Sequence, residues 1–393
     1  MNLRRMAMAI SAVGATLVLT AGPAFAAGGW TIVSAPPAGQ NAALAGVSEV
    51  SATDAWAVGI SNAAPNGLGA KPVIDSWNGT AWSQDTVTAP SSTTWLTGVS
   101  ASSATDAWTV GWTEPQRYTI HPLAMHWNGT AWSVSASGTT ALPNDTYMVG
   151  VADISPADAY AIGDNSAFAS GYLEQWNGTT WSEVKYPLPA GAASDTTLNA
   201  ISANGPDDVW IVGGYLDSAN GRNETFSDHW NGTAWSLVSM PLVTGSDNQL
   251  TYQFNSIVAN SPTDVWAVGG SGDNALEQGG SPSTTLIEHW NGSAWSIVPS
   301  PSPGTGADLT GVATSNASDG VWAVGSDTPS GTTGAQTLTL NWNGTAWTTV
   351  ASPDNGNPST LSGVAALPGS SVLWAVGRSG ASGSGNPLVL ENG

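Results

Sequence analysis

The 393-residue chain has no cysteine and only seven lysines and arginines, set against 28 aspartates and glutamates. The missing cysteine excludes disulfides, a thiolate nucleophile, thiolate metal sites and any lipid carried on a thiol. The shortage of cations, with a formal net charge of −21, excludes nucleic acid as a partner, because phosphate contacts need clustered lysine and arginine. It argues equally against anionic membrane surfaces, and the acidic excess makes for solubility. Charge is scarce altogether at 9% of residues, and glycine, serine, threonine and asparagine take its place. That composition alone would suit disorder, but a strict internal period overrides it. No GxSxG, HExxH, Walker or dinucleotide-binding motif occurs, so the catalytic signatures that a short pattern can carry are missing.

The first 26 residues read as a signal peptide. Arg4 and Arg5 give a positive start, Ile10 to Leu19 an apolar middle, and Ala24-Phe25-Ala26 a small-residue cleavage site. The apolar stretch is too short for a membrane span, and no later segment is long enough either. We therefore expect a secreted, extracellular bacterial protein cleaved near Ala26, by Sec or twin-arginine export. Cleavage leaves 5 basic residues against 28 acidic ones, 5 − 28 = −23.

Tryptophan, at 21 copies, and glycine, at 47, are abundant. The stretch HWNGTAWS stands at 126–133 and 229–236, with near copies at 76–83, 175–182, 289–296 and 341–348. Its Asn-Gly is the strongest short hairpin signal, because a type I′ turn needs positive φ at both central residues. A two-residue turn would place the paired indoles diagonally on one face, and a four-residue turn would place them directly opposite. A lone hairpin is marginal in water, so six copies imply a common surface to stack on.

A second motif, Asp54-Ala55-Trp56-Ala57-Val58-Gly59, alternates with the first. Its aromatic recurs as Trp108, Tyr160, Trp210, Trp266, Trp322 and Trp374, at intervals of 52, 52, 50, 56, 56 and 52 residues. Before each stands a short run such as Leu44-Ala45-Gly46-Val47 or Leu309-Thr310-Gly311-Val312. Four strands per period of ~50 residues is the mark of a propeller. The expected fold is all-β: a seven-bladed β-propeller of four-stranded antiparallel blades, one domain over 27–393. The seventh hairpin is split. Leu388-Val389-Leu390-Glu391-Asn392-Gly393 matches a first arm up to its Asn-Gly, and Trp30-Thr31-Ile32-Val33 matches a second arm. Blade seven is thus expected from 361–393 plus 30–34, leaving only short, protected edges.

The first strand of each blade should lie nearest the axis. Gly46, Gly98, Gly150, Ala200, Ser256, Gly311 and Gly363 would permit close approach there. Leu44, Leu96, Met148, Leu198, Phe254, Leu309 and Leu361 would pack between blades. The recurring Asp (54, 106, 158, 208, 264, 319) is expected to accept backbone N–H bonds in the tight turn. The residues ending the third strands, Ser76, His126, Gln175, His229, His289, Asn341 and Leu390, include three of four histidines. They fall on different blades, so they are expected as cross-strand or surface partners rather than metal ligands. No metal and no cofactor are implied. The six Asn-Gly-Thr/Ser sequons are read as turn chemistry.

Length varies only in the links between second and third strands and between successive blades. Both emerge on one face of the ring, the expected working face. Trp95 and Trp112, the tryptophans outside the repeat, belong there, with Tyr118, Tyr147, Phe168, Tyr172, Tyr215, Phe226 and Tyr252. So do Lys71, Arg117, Arg222 and Arg378. Blade two concentrates the unusual residues. The candidate ligand site is Trp95, Trp112 and Tyr118 for stacking, Arg117 for hydrogen bonding, and Tyr147 at the entry to blade three.

The motifs DAWAVG and HWNGTAWS resemble those of secreted bacterial β-propellers of the kelch and galactose-oxidase-like kind, and those of tectonin-type propeller lectins. The resemblance covers nearly all of 27–393. The double glycine of kelch blades is matched at Gly213-Gly214 and Gly269-Gly270. Galactose oxidase activity would imply copper with a Cys–Tyr cofactor, and sialidase activity an arginine cluster with Asp-boxes; the chain has neither. The function expected is a binding module for polysaccharide through aromatic loops. The alternatives are an extracellular scaffold that meets a protein partner, and a glycosidase or lyase using loop carboxylates such as Glu114, Asp217, Glu224 or Glu277. A monomer is expected.

Overall fold

The computed structural model describes residues 29–64, 67–135, 145–165, 170–219, 221–241, 250–273, 283–315, 320–332, 334–354, 358–367, 370–380 and 385–393. Within them, 28 strands form seven separate four-stranded antiparallel sheets. Blade one runs Ala43–Ser51, Asp54–Ser61, Lys71–Trp77 and Trp82–Gln84 from axis to rim. The next five blades repeat that order. Blade seven pairs Ser359–Ala366, Leu373–Ser379 and Asn386–Asn392 with the N-terminal strand Thr31–Val33.

The split closure carries a shift of register. Thr31 lies opposite Glu391 and Ile32 opposite Leu390, and Trp374 lies opposite Glu391. In blade two, Trp108 lies opposite His126 and Ser133 opposite His126. Glu391, not Leu390, therefore takes the histidine place, and the terminal Asn392 falls where other blades carry the first hairpin tryptophan. The final Asn-Gly imitates a turn signal one residue out of phase.

The intact hairpins use the four-residue turn. Trp127 lies opposite Trp132, with equivalent pairs in five other blades. Only the glycine adopts positive φ, 89° at Gly129. Asn128 instead lends its side chain: Oδ1 accepts from Thr130 N–H at 3.0 Å, Thr130 Oγ1 at 2.8 Å and Ala131 N–H at 3.1 Å. The first tryptophan's Nε1 ties the hairpin to the short turn of the same blade, Trp127 donating to Ala104 O at 3.1 Å.

The core lies between blades. Each hairpin packs its indoles on the second-strand aromatic of the preceding blade, as Trp176 and Trp181 do on Trp108. At the axis, Leu44, Leu96, Met148, Leu198, Phe254, Leu309 and Leu361 are all buried. A Cβ placed on Gly311 would lie 3.0 Å from Gly363 Cα, and one on Gly363 3.3 Å from Gly46 Cα. Serines stitch neighbouring inner strands: Ser48 Oγ accepts from Ala101 N–H at 3.1 Å, and Ser100 Oγ from Asp153 N–H at 2.9 Å.

Candidate functional site

The recurring Asp does something other than cap its turn. Asp106 Oδ1 is 2.6 Å from His126 Nε2, Asp208 Oδ1 is 2.8 Å from His229 Nε2, and Asp264 Oδ1 is 2.7 Å from His289 Nε2. Asp158 accepts from Gln175 Nε2 at 3.0 Å. His229 and His289 also stack on their blades' tryptophans, Trp210 at 4.1 Å and 18° and Trp266 at 4.1 Å and 22°, and His126 lies tilted against Trp108 at 4.5 Å and 30°. These Asp–His–Trp groups recur on three blades and bind the third strand to the second, so they are architecture. The His289 hydrogen bond holds the Asp264 carboxyl below its ordinary range. Asp54 departs from the pattern and accepts from Ser51 Oγ and Thr53 Oγ1. Among the described residues, no three histidines, aspartates or glutamates converge as metal ligands.

On the loop face of blade two, the structure brings three of the five candidate residues together. The inner strand Thr94–Ser103 and the second strand Asp106–Gln116 place Trp95 directly opposite Trp112. Their rings stack at 5.2 Å and 11°. Tyr147, on the inner strand Thr146–Ser155 of blade three, meets Trp112 edge-on at 5.3 Å and 77°. A methyl built on Gly67 of the blade-one loop would lie 3.5 Å from Trp95 Cζ2. A continuous aromatic row thus crosses from blade two to blade three, and all three rings are half-buried. Backbone bonds hold its flanks: Thr94 N–H donates to Ala70 O, and Asp145 N–H to Ile120 O, both at 2.9 Å.

Arg117 and Tyr118 stand apart from the row. They form the tip of the turn between the second and third strands, with the Arg117 guanidinium 4.9 Å from the Tyr118 ring centroid. Tyr118 is 78% exposed and holds φ at 66°, its N–H donating to Glu114 Oε1 at 2.7 Å. The expected five-residue site is therefore two neighbouring patches, a recessed aromatic row and a projecting cation–ring pair.

The loop carboxylates serve local bonds. Glu114 holds the Tyr118 turn, Asp217 Oδ1 accepts from Ala219 N–H at 2.9 Å, and Glu224 Oε2 accepts from Tyr215 OH at 2.7 Å. Burial and that Glu224 contact push the Tyr215 hydroxyl above its ordinary value. Tyr215, Glu224, Phe226, Leu237 and Met240 line a cavity of about 180 Å³ on blade four. Phe168, Glu277, Asp319 and the leader lie outside the described residues, as do the side chains of Arg222 and Tyr252.

A larger cavity lies elsewhere. About 740 Å³ opens along the axis, lined by the second halves of all seven inner strands. It lies beyond the glycine ring, toward the short turns, on the face opposite the variable loops. Its charged lining is Glu49 and Asp153. Burial raises Glu49 to about 7, with Glu391 adding to it, and raises Asp153 to about 8, with Asp106 adding to it. Sequence reasoning missed this space because small residues on inner strands read only as packing.

No protein-family model and no curated protein sequence matches the chain. Solved structures do. The propeller YCF48 bound to D1 peptide is 15% identical, with 92% of this chain and 96% of that one aligned at a TM-score of 0.54. An ulvan lyase of polysaccharide lyase family PL25 is 12% identical over 93% and 94%, TM-score 0.53. The GH74 enzyme of Niastella koreensis is 11% identical, TM-score 0.51, and this chain spans 53% of its length. The chain is similar to these in fold: a seven-bladed β-propeller.

Proposed function

We propose that the protein binds polysaccharide on its loop face, the aromatic row giving the seat and the Arg117–Tyr118 pair a second contact. The observation that carries this reading is the row itself, three half-exposed rings from two blades in register at 5.2 and 5.3 Å. Sugars present apolar CH faces beside hydroxyls, and aromatic side chains with a polar handle suit both. Arg117 adds a planar donor able to meet a uronic-acid carboxylate in two parallel bonds. The fold itself does not choose the ligand, since propellers of this shape include a peptide binder and a polysaccharide lyase. The local hydrogen bonds of Glu114, Asp217 and Glu224 favour binding over catalysis.

The reading extends to location: residues 1–26 direct export and are removed near Ala26, placing the site outside the cell. N-terminal sequencing of protein secreted by a bacterial host checks that step. Binding is tested by titrating the mature chain with neutral and uronic-acid polysaccharides while following tryptophan fluorescence. A saturable change is expected. If no polysaccharide produces one, an extracellular protein-binding scaffold replaces this reading.

A further inference from the structure

Three carboxyls are buried without an ion-pair partner among the described residues. Asp75, Asp228 and Glu288 are at most 1% exposed, and neither oxygen of any of them has a hydrogen-bond partner among the described residues. They hold one and the same position of the third strand, in blades one, four and five. The flanking strands bring no charge: Asp75 is paired with Ala57 and Gln84, Asp228 with Ile211 and Leu237, Glu288 with Ala267 and Ile297. Their side of the sheet is the one that meets the preceding blade. There they face Trp374 and Val376, Tyr160 and Ile162, and Trp210 and Val212 respectively.

The titratable groups at these junctions are mostly further acids and phenols. Asp85, Glu49 and Glu391 stand around the first. Tyr186, Asp164 and Glu183 stand around the second, and the Asp208–His229 pair lies beside Trp210 at the third. An unpaired carboxylate in such surroundings is strongly destabilising, whereas the neutral acid is tolerated. Burial accordingly lifts Asp75 to about 7, with the Asp85 carboxylate adding to it, and alone lifts Asp228 to about 7 and Glu288 to about 8.

Composition points the same way independently. With every carboxyl neutral, at most 7 + 4 = 11 basic side chains charge the 393-residue chain. The charge repulsion that usually unfolds proteins in acid is therefore small, while at pH 7 the net charge is −21.

We infer that this protein is built for acidic surroundings, and that ionisation of these three carboxyls as pH rises loosens the ring at the junctions of blades seven with one, three with four and four with five. A carboxyl raised in the folded state binds its proton more tightly there than in the unfolded chain. Its contribution is fully present below the unfolded value near 4 and is lost as pH climbs through about 7 to 8. Asp264, held low by His289, works in the opposite sense and loses its contribution only below the ordinary carboxylate range.

The test is the melting temperature of the mature chain from about pH 4 to about pH 9. It should fall with rising pH, by about 5 °C or more. Three of the other four blades carry Met125, Leu340 and Leu390 at this position, and blade three carries the buried Glu174, so the combined variant Asp75→Leu, Asp228→Leu, Glu288→Met uses side chains the fold already accepts there. It should melt higher than wild type at about pH 8 and show a flatter profile. Asp228→Asn, which imitates the protonated acid, should match wild type in acid and exceed it in alkali. An infrared band of protonated carboxyl should persist in the wild type at about pH 6, where ordinary carboxyls are ionised. A wild-type melting temperature that is flat or rises between about pH 5 and about pH 8 overturns the inference, whether or not the variants fold. So does a combined variant that keeps the wild-type slope.

Discussion

Trp181 of blade three meets Trp108 of blade two edge to face, with ring centroids 4.9 Å apart and planes at 81°. Both indoles are at most 1% exposed. The outer strand of one blade is thus anchored in the interior of its neighbour, and the ring is held by a chain of such contacts. Trp295 on Trp210 and Trp347 on Trp266 repeat it.

Removing the anchor should leave a large cavity at a blade junction. Trp181→Ala is expected to cost about 3–5 kcal/mol by urea unfolding. Trp132, whose side chain is only half-buried, should cost clearly less. Equal losses at the two positions would contradict the anchoring account.

The glycine ring makes a graded prediction. A Cβ on Gly311 would meet backbone atoms of Gly363 and Val364 at 3.0 Å, which cannot move without shifting a blade. At Gly150 the nearest atoms are Ile162 and Ile201 side-chain carbons at 3.3 and 3.4 Å, which can yield. Gly311→Ala should therefore destabilise by about 1–3 kcal/mol, and Gly150→Ala by less. Chemical denaturation of the two variants side by side decides it.

Closure can be tested by truncation. Deleting Asn386–Asn392 with Gly393 removes the strand that joins Thr31–Val33 to Leu373–Ser379. The melting temperature should drop, and the exposed strand edges should drive association, seen by size-exclusion chromatography. A truncated chain that stays monomeric and melts as before would refute the split blade.

Much of this architecture was legible because each blade repeats the same solution, so that the spacing of Trp56, Trp108 and their successors reveals the period. What escaped was pairing across strands. The Asp106–His126 contact joins residues twenty positions apart, and the aspartate carries a turn signal that hides its second use. Asp75, Asp228 and Glu288 look like solvated strand residues until the other blades are laid beside them. Met125, Leu340 and Leu390 at the equivalent place mark it as interior. The site was half legible. Trp95 and Trp112 stood out as departures from the repeat, but a turn places Arg117 and Tyr118 near them in sequence without bringing them into the row.

That separation distinguishes the roles of the candidate residues. Trp112 stacks on Trp95 and touches Tyr147, so Trp112→Ala breaks the row at its centre. It is expected to weaken polysaccharide binding by about tenfold or more, a loss of at least about 1.4 kcal/mol. Because its ring is only half-buried, the cost in stability should stay below that of Trp181→Ala. Tyr118 is exposed and touches only the turn tip, so Tyr118→Ala should leave the melting temperature unchanged. It should weaken binding less than Trp112→Ala, and Arg117→Ala should affect uronic-acid chains more than neutral ones. Fluorescence titration of the three variants against both classes of chain makes the comparison. If Trp112→Ala unfolds the protein, or binds as wild type does, the row is loop packing and the polysaccharide seat lies elsewhere.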